Sequence, residues 1–209
     1  MQAVRHELGI NPTGCLFHFC TSIYRKVQDL GFANEYNTDN PQETRKWMCR
    51  LMEMALVPPL RARNVIMAVI AEAPVLQQVA DMNTYFCNTY VKSNALFQSA
   101  AWSVFDAESR TTNVCEGFHS SMNRSVGQRH PDIFKVIEFY QRHEEYNERV
   151  IAQLNMGAPP TRRRPKYELV GATLQRLKNQ YFGQGALIPV HQILTYLDAV
   201  SHQLWDERH

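Results

Sequence analysis

The sequence predicts a mainly α-helical chain. Apolar residues recur at the helical period along nearly every segment, almost no segment alternates as a half-buried strand does, and the breaks fall at glycine, proline and capping residues. With 209 residues, 44% of them hydrophobic and 20% charged, the chain can bury a core without disulfide or metal staples.

The first element is an apolar stripe of Leu16, Phe19, Cys20, Ile23, Val27 and Leu30, followed by Gly31 where a helix stop is usual. Asn40, Pro41 and Glu43 then form a start signal, an N-cap, a proline at the first helical position and a capping-box acid. That helix runs to Val57, before Pro58-Pro59. Further helices are expected over Ala62–Ala73, Leu76–Val91, Asn113–Val126, Ile133–Asn155, Leu169–Phe182 and Leu187–Trp205. The aromatics Trp47, Tyr85, Phe86, Tyr90, Phe97, Trp102 and Phe105 fall at helical spacing, which favours core over base-stacking platforms. Met156–Lys166, MGAPPTRRRPK, interrupts the pattern and reads as a linker.

Charge and cysteine usage narrow the class. Lys and Arg outnumber Asp and Glu by only 22 to 20, and a cut after Val104 leaves +1 on each side, so neither half is a basic tail. Cys15, Cys20, Cys49, Cys87 and Cys115 are odd in number and lack framework spacing, as expected in a reducing compartment. Arg5, His6 and Glu7 stand where a signal peptide needs an apolar run, and no stretch approaches the roughly 18 apolar residues of a membrane span. A soluble intracellular product, nuclear or cytoplasmic and with no membrane partner, is the expectation. There is no Walker motif, no Gly-rich phosphate loop, no nucleophile elbow and no solenoid repeat.

Three groups could carry chemistry. Cys15-x2-His18 sets a thiol and an imidazole three residues apart at the start of the first helix and therefore on one helical face, as a metal pair or as two packed side chains. Glu116, His119 and Asn123 fall at i, i+3 and i+7 near the start of a helix with Thr112 or Asn113 as its cap. They form either a solvated face or a site where a carboxylate holds Mg²⁺. Arg162, Arg163, Arg164 and Lys166 could neutralise phosphates or act as an import address, or could simply be solvated. Zinc would need Cys15, His18, Cys115 and His119 to meet across about a hundred residues, far more than a zinc finger spans.

GCLFHF (Gly14–Phe19), TTNVCEGFHSSMN (Thr111–Asn123), GQRHPDIFKVIEF (Gly127–Phe139) and GAPPTRRRPKY (Gly157–Tyr167), in that order, resemble the C-terminal half of a Mutator-like element (MULE) transposase of the animal type. The resemblance covers essentially the whole chain. It implies a DDE enzyme of RNase H-like fold, in which three carboxylates bind two Mg²⁺ or Mn²⁺ ions that cut transposon ends and join them to target DNA. In that frame Glu116 matches the third carboxylate, Cys15 and His18 match the family's CxxH motif, and His119 and Asn123 are supporting or DNA-contact candidates.

The same frame divides the chain into a core remnant (1–31), a helical insertion (32–110), the glutamate helix with the following core helix (111–157), and a basic linker with C-terminal helices (158–209). Its partners would be DNA, a full-length transposase or a second copy of the chain. Residues 1 to 14 contain no aspartate, so two of the three ligands and most of the central sheet are not in this sequence. The expectation is a truncated transposase that is inactive alone and binds no ion tightly. The alternatives are a domesticated, non-enzymatic helical module that binds DNA or protein, and an active transposase whose N-terminal half lies outside these residues. Without the sheet, the apolar stripes of the first helix and of 113–126 are expected to lie exposed unless they have found other partners.

Overall fold

The first helix, α1 (Leu16–Asp29), buries Phe19, Ile23 and Val27, the one-turn spacing that its stripe dictates. It ends in a Schellman-type stop: the Gly31 N–H donates to the Gln28 carbonyl and the Phe32 N–H to the Val27 carbonyl. Gly31 sits at φ +77°, a conformation that costs a residue with a side chain 1–2 kcal/mol or so. In this computed structural model the residues described are 7, 9, 14–34, 42–107, 109–111, 113–127, 131–160, 165–183 and 188–205, with only the backbone of Val114, Lys166 and Trp205.

The remaining helices are α2 (Gln42–Glu53), α3 (Ala62–Ala71), α4 (Gln77–Phe86), the short α5 (Ser99–Trp102), α6 (Asn113–Val126), α7 (Ile133–Asn155), α8 (Pro165–Phe182) and α9 (Val190–Trp205). Among the described residues there is no strand, so the chain is mainly α as the periodicity predicts. None of the helices is long and apolar enough to cross a membrane. Asn40 and Pro41 lie outside the described residues, although Glu43 does fall in the first turn of α2.

Several boundaries differ from the sequence reading. The helix expected to reach Val57 tightens to 3₁₀ geometry over Met54–Leu56, and a second 3₁₀ turn at Pro59–Arg61 follows the proline pair. The segment expected as one helix to Val91 changes at Cys87 to a π-helical turn, Cys87–Val91, whose wider turn is seen in the Lys92 N–H bond to the Cys87 carbonyl. Helix α8 takes in Pro165 and Lys166, which the sequence assigned to the linker; proline lacks only an N–H that the first helical position does not need.

The chain divides into two units, residues 1–110 with 168–209, and residues 111–167. In the first, α2 is central: Trp47, Met48, Cys49, Arg50, Leu51, Met52 and Glu53 are all buried, so almost no face of this helix meets water. Helices α1, α3 and α9 pack against it. Phe19 and Tyr90 form an aromatic cluster with Phe86 and Trp102, with Phe19 stacked on Trp102 at 5.2 Å between centroids. The Trp102 indole N–H bonds to the carbonyls of Tyr90 and Phe97, which satisfies the one polar atom of the buried ring. The aromatics read as core divide accordingly: Trp47, Phe86, Tyr90 and Trp102 are buried, Tyr85 and Phe105 are half-buried, and Phe97 is partly exposed.

In the second unit α6 and α7 pack on each other. Phe118 of α6 meets Phe139 and His143 of α7 at 5.7 and 4.9 Å. Asp132 caps α7 by accepting from the Phe134 N–H at 2.8 Å, and the helix ends at Gly157 in the same Schellman pattern that closes α1.

The stripe of α1, expected to be exposed without the sheet, is covered. Ile23 and Val27 are fully buried within the core that α2, α3, α4 and α9 share with it. Helical partners close over this face.

Candidate functional site

Glu116 stands in the first turn of α6, where the partial positive charge of the helix N-terminus favours a carboxylate. One unbroken helix carries Glu116, His119 and Asn123, so they keep the shared face that their spacing predicts, and all three are exposed. Helix α6 starts at Asn113, so Asn113 is helical and the cap position falls at residue 112, outside the described residues.

The CxxH pair departs from expectation. Cys15 is the N-cap of α1, in extended backbone at φ −99° and ψ 128°, and is buried; His18, one turn into the helix, is exposed with its ring edge-on to Phe17. Cys15 therefore stands just before the helix rather than on it, because the helix begins after the cysteine. The backbone on either side of Cys15 fastens the chain. The Gly14 N–H bonds to the Ala101 carbonyl at 2.7 Å and the Leu16 N–H to the Arg110 carbonyl at 2.8 Å, holding the start of α1 to the end of the segment 32–110. Gly14 suits this approach, since a Cβ there would lie 3.0 Å from the Ala101 oxygen and 3.3 Å from the Trp102 Cα, tighter than side chains ordinarily pack.

Two-ion chemistry asks for several carboxylates converging on one point. The face of Glu116 offers only an imidazole and an amide beside it, and among the described residues no three His, Cys, Asp or Glu side chains are grouped to hold a metal ion. These residues do not by themselves fit a two-ion centre. The zinc candidates fall in different units, Cys15 and His18 in the first and Cys115 and His119 in the second. Arg162, Arg163 and Arg164 lie outside the described residues, as does the Lys166 side chain.

Two features were not singled out from the sequence. The first is a groove of about 340 Å³ between α6 and α7, lined by Ser125, Lys135, Glu138, Arg142, His143 and Tyr146 among others. His143 lies within an aromatic row, stacked on Phe139 and on Tyr146, while Arg142 is paired with Glu138. The i, i+4 and i, i+3 spacing of Phe139, His143 and Tyr146 is the signal that could have shown it.

The second is an ion cluster in the first unit. Arg50 of α2, only 7% exposed, grips Asp198 of α9 through Nε and Nη2 at 2.7 and 2.8 Å and holds Glu72 through Nη1. Lys46 joins Asp198 at 3.1 Å. Burial alone would raise the Asp198 carboxyl, but the bonds from Arg50 and Lys46 outweigh it and hold the group below the usual carboxylate range. Burial likewise opposes the Arg50 charge and is outweighed by Asp198 and Glu72, so the guanidinium is held more firmly protonated than usual. A bidentate pair between helices far apart in sequence leaves no local pattern to read.

Burial also drives the two buried phenols. Tyr90 is pushed up to about 12 by desolvation, against a bond shared with Ser22 at 2.8 Å. Tyr196 is raised by burial and by the nearby charge of Glu53. Phenols so raised are held as neutral packing groups at physiological pH.

No family model, no curated protein and no solved structure was found to match this chain.

Proposed function

We propose that these 209 residues carry the glutamate-bearing part of a MULE-type DDE transposase, an intracellular DNA-recombination enzyme, and that alone they do not cleave DNA. The observation that carries the reading is Glu116 with His119 and Asn123, exposed on one helix of a unit set apart from residues 32–110. A helical insertion ahead of the glutamate helix is what the resemblance implies, and the division of the chain at residue 111 supports it. Completed by two aspartates from elsewhere, Glu116 would be an oxygen ligand to Mg²⁺ or Mn²⁺, with His119 and Asn123 positioned to orient it or to touch DNA.

The test is a nicking assay on supercoiled DNA with Mg²⁺ or Mn²⁺. The expected result is no cleavage by the purified protein; divalent-dependent nicking that Glu116→Ala abolishes would overturn the claim of inactivity. The family reading is tested separately, by reading the transcript and the adjoining genome upstream of codon 1. An in-frame segment with two aspartates on strand-like runs supports it, and its absence from both rejects it.

A second reading, a domesticated helical module that binds DNA or protein without catalysis, is favoured by one observation. The first unit closes its own core over α1, leaving Ile23 and Val27 with no exposed surface where a sheet would otherwise be needed. A single cooperative melt of that unit in a soluble monomer or dimer supports this reading, and aggregation on purification counts against it.

A further inference from the structure

Helix α7 has a second apolar stripe that is largely open among the described residues. Phe139 and His143 face α6, whereas Ile133, Ile137, Tyr140, Ile151 and Leu154 are 62, 45, 51, 57 and 42% exposed, with Tyr140 alone of these also touching a ring of α6, Phe118 at 6.1 Å. With the exposed Glu144 and Asn147 they complete the series 133, 137, 140, 144, 147, 151, 154, the alternating four-and-three spacing of a coiled-coil seam. We infer that this stripe is a self-association surface, on which a second copy of the chain lays its own α7 antiparallel. The inference stands on the stripe alone and does not depend on the transposase reading.

The register makes the case for a second copy. About a two-fold axis midway between residues 145 and 146, Ile137 meets the second copy's Leu154, Tyr140 meets Ile151, and Glu144 meets Asn147. Every apolar seam position in these layers then finds an apolar partner. At the centre the carboxylate of Glu144 accepts from the amide of Asn147, twice by symmetry, so the only charged seam residue is never opposed by itself. A parallel pair would set Glu144 against Glu144 and lose this match. A lipid surface or an unrelated apolar partner would give no reason for two polar residues at the centre of the stripe.

The five apolar seam residues leave roughly 500 Å² exposed per copy. With Glu144, Asn147 and the flanking Phe134, 75% exposed, the area is on the order of the 600–800 Å² per partner at which specific interfaces begin. A weak, concentration-dependent dimer is the form such a surface supports.

Sedimentation of the intact 209-residue protein between about 1 and 100 µM, the range of a weak specific contact, tests the inference. A monomer–dimer equilibrium is expected, with Ile137→Glu and Ile151→Glu each weakening it by tenfold or so at unchanged far-UV circular dichroism. Because these positions are exposed, the fold should tolerate both changes. Asn147→Lys is expected to tighten the dimer, since the antiparallel register sets the new ammonium against Glu144. A protein that is monomeric throughout, or a dimer indifferent to both glutamate substitutions, overturns the surface. Weakening by Asn147→Lys overturns the register. A monomer that instead sediments with phosphatidylglycerol vesicles through Ile137 and Ile151 assigns the stripe to lipid and rejects self-association.

Discussion

In the first unit one helix, α2, is covered on nearly every side, and its two buried charged residues are held within a core of aromatic and aliphatic side chains. In the second, α6 and α7 cover each other along one face only, and Val126 and Phe139 are its buried apolar residues among those described. Both units are helical and both end a helix on a Schellman glycine, so local geometry does not separate them. What separates them is how much apolar surface each removes from water, at roughly 25 cal/mol for each Å². The first unit buries a continuous core, whereas most described residues of the second are exposed. Charge follows the same division. Residues 111–167 hold nine Lys and Arg against six Asp and Glu, a formal +3, which leaves the remainder of the chain at −1.

The comparison can be broken most directly by unfolding. All three tryptophans, Trp47, Trp102 and Trp205, belong to the first unit, so indole fluorescence reports that unit while far-UV circular dichroism reports both. Two transitions are expected by dichroism, with fluorescence following only the later one; coincident transitions would make the two units one cooperative body. Trp102→Ala should have the largest effect, about 4 kcal/mol, because it opens a cavity beneath Phe19 and removes the donor to two carbonyls. The loss should appear in the fluorescence transition and leave the earlier one in place.

Asp198→Asn comes next. It leaves the Arg50 guanidinium, almost fully buried, with Glu72 as its remaining carboxylate. Removing one partner of a buried pair costs some 3–5 kcal/mol, and partial exposure of Asp198 reduces this to about 2 kcal/mol. Since the folded carboxyl titrates below its unfolded value, its contribution is fully present above the unfolded pKa near 4 and is lost as pH falls through the folded one. Acid unfolding of the first unit should therefore steepen below pH 4 or so in the parent and be shallower in Asp198→Asn.

The alkaline limb has the opposite sign. Tyr90, pushed up to about 12, binds its proton more tightly when folded, so its contribution holds below the unfolded value near 10 and is lost as pH rises towards 12. Tyr90→Phe is expected to flatten this limb by roughly 1–2 kcal/mol between those pH values. It also removes the bond to Ser22, so a small loss at neutral pH, about 1 kcal/mol, should accompany it. An unchanged alkaline limb would assign the titration to other groups.

The elements that sequence reading located well are those whose information is local. Helices α6 and α7 have the expected ends, Asn113–Val126 and Ile133–Asn155, because caps, glycine stops and a single apolar face lie within a few residues of each other. Helix α2 was harder: an amphipathic pattern indicates one buried face, and what covers Arg50 and Glu53 comes from helices up to about 150 residues away. The π turn and the 3₁₀ segments depend on tertiary packing around Tyr90 and the proline pair. At the candidate site, the shared face of Glu116, His119 and Asn123 was legible from spacing. The extended backbone of Cys15 was not, because it turns on a helix starting one residue after the cysteine, finer than sequence patterns resolve.

The smallest effect sharpens the comparison most, because it should touch one unit alone. Asp132 is exposed and its carboxylate caps α7 through the Phe134 N–H, with no part in the first unit's core. Asp132→Ala should cost about 1 kcal/mol, the usual worth of such a cap. In a two-helix unit this is a large share of the total, so the earlier dichroism transition should move to lower temperature while the fluorescence transition stays where it was. Asp132→Ser restores an acceptor without the charge and should recover most of the loss, which separates the hydrogen bond from the helix dipole. If Asp132→Ala shifts both transitions together, the second unit does not unfold independently of the first.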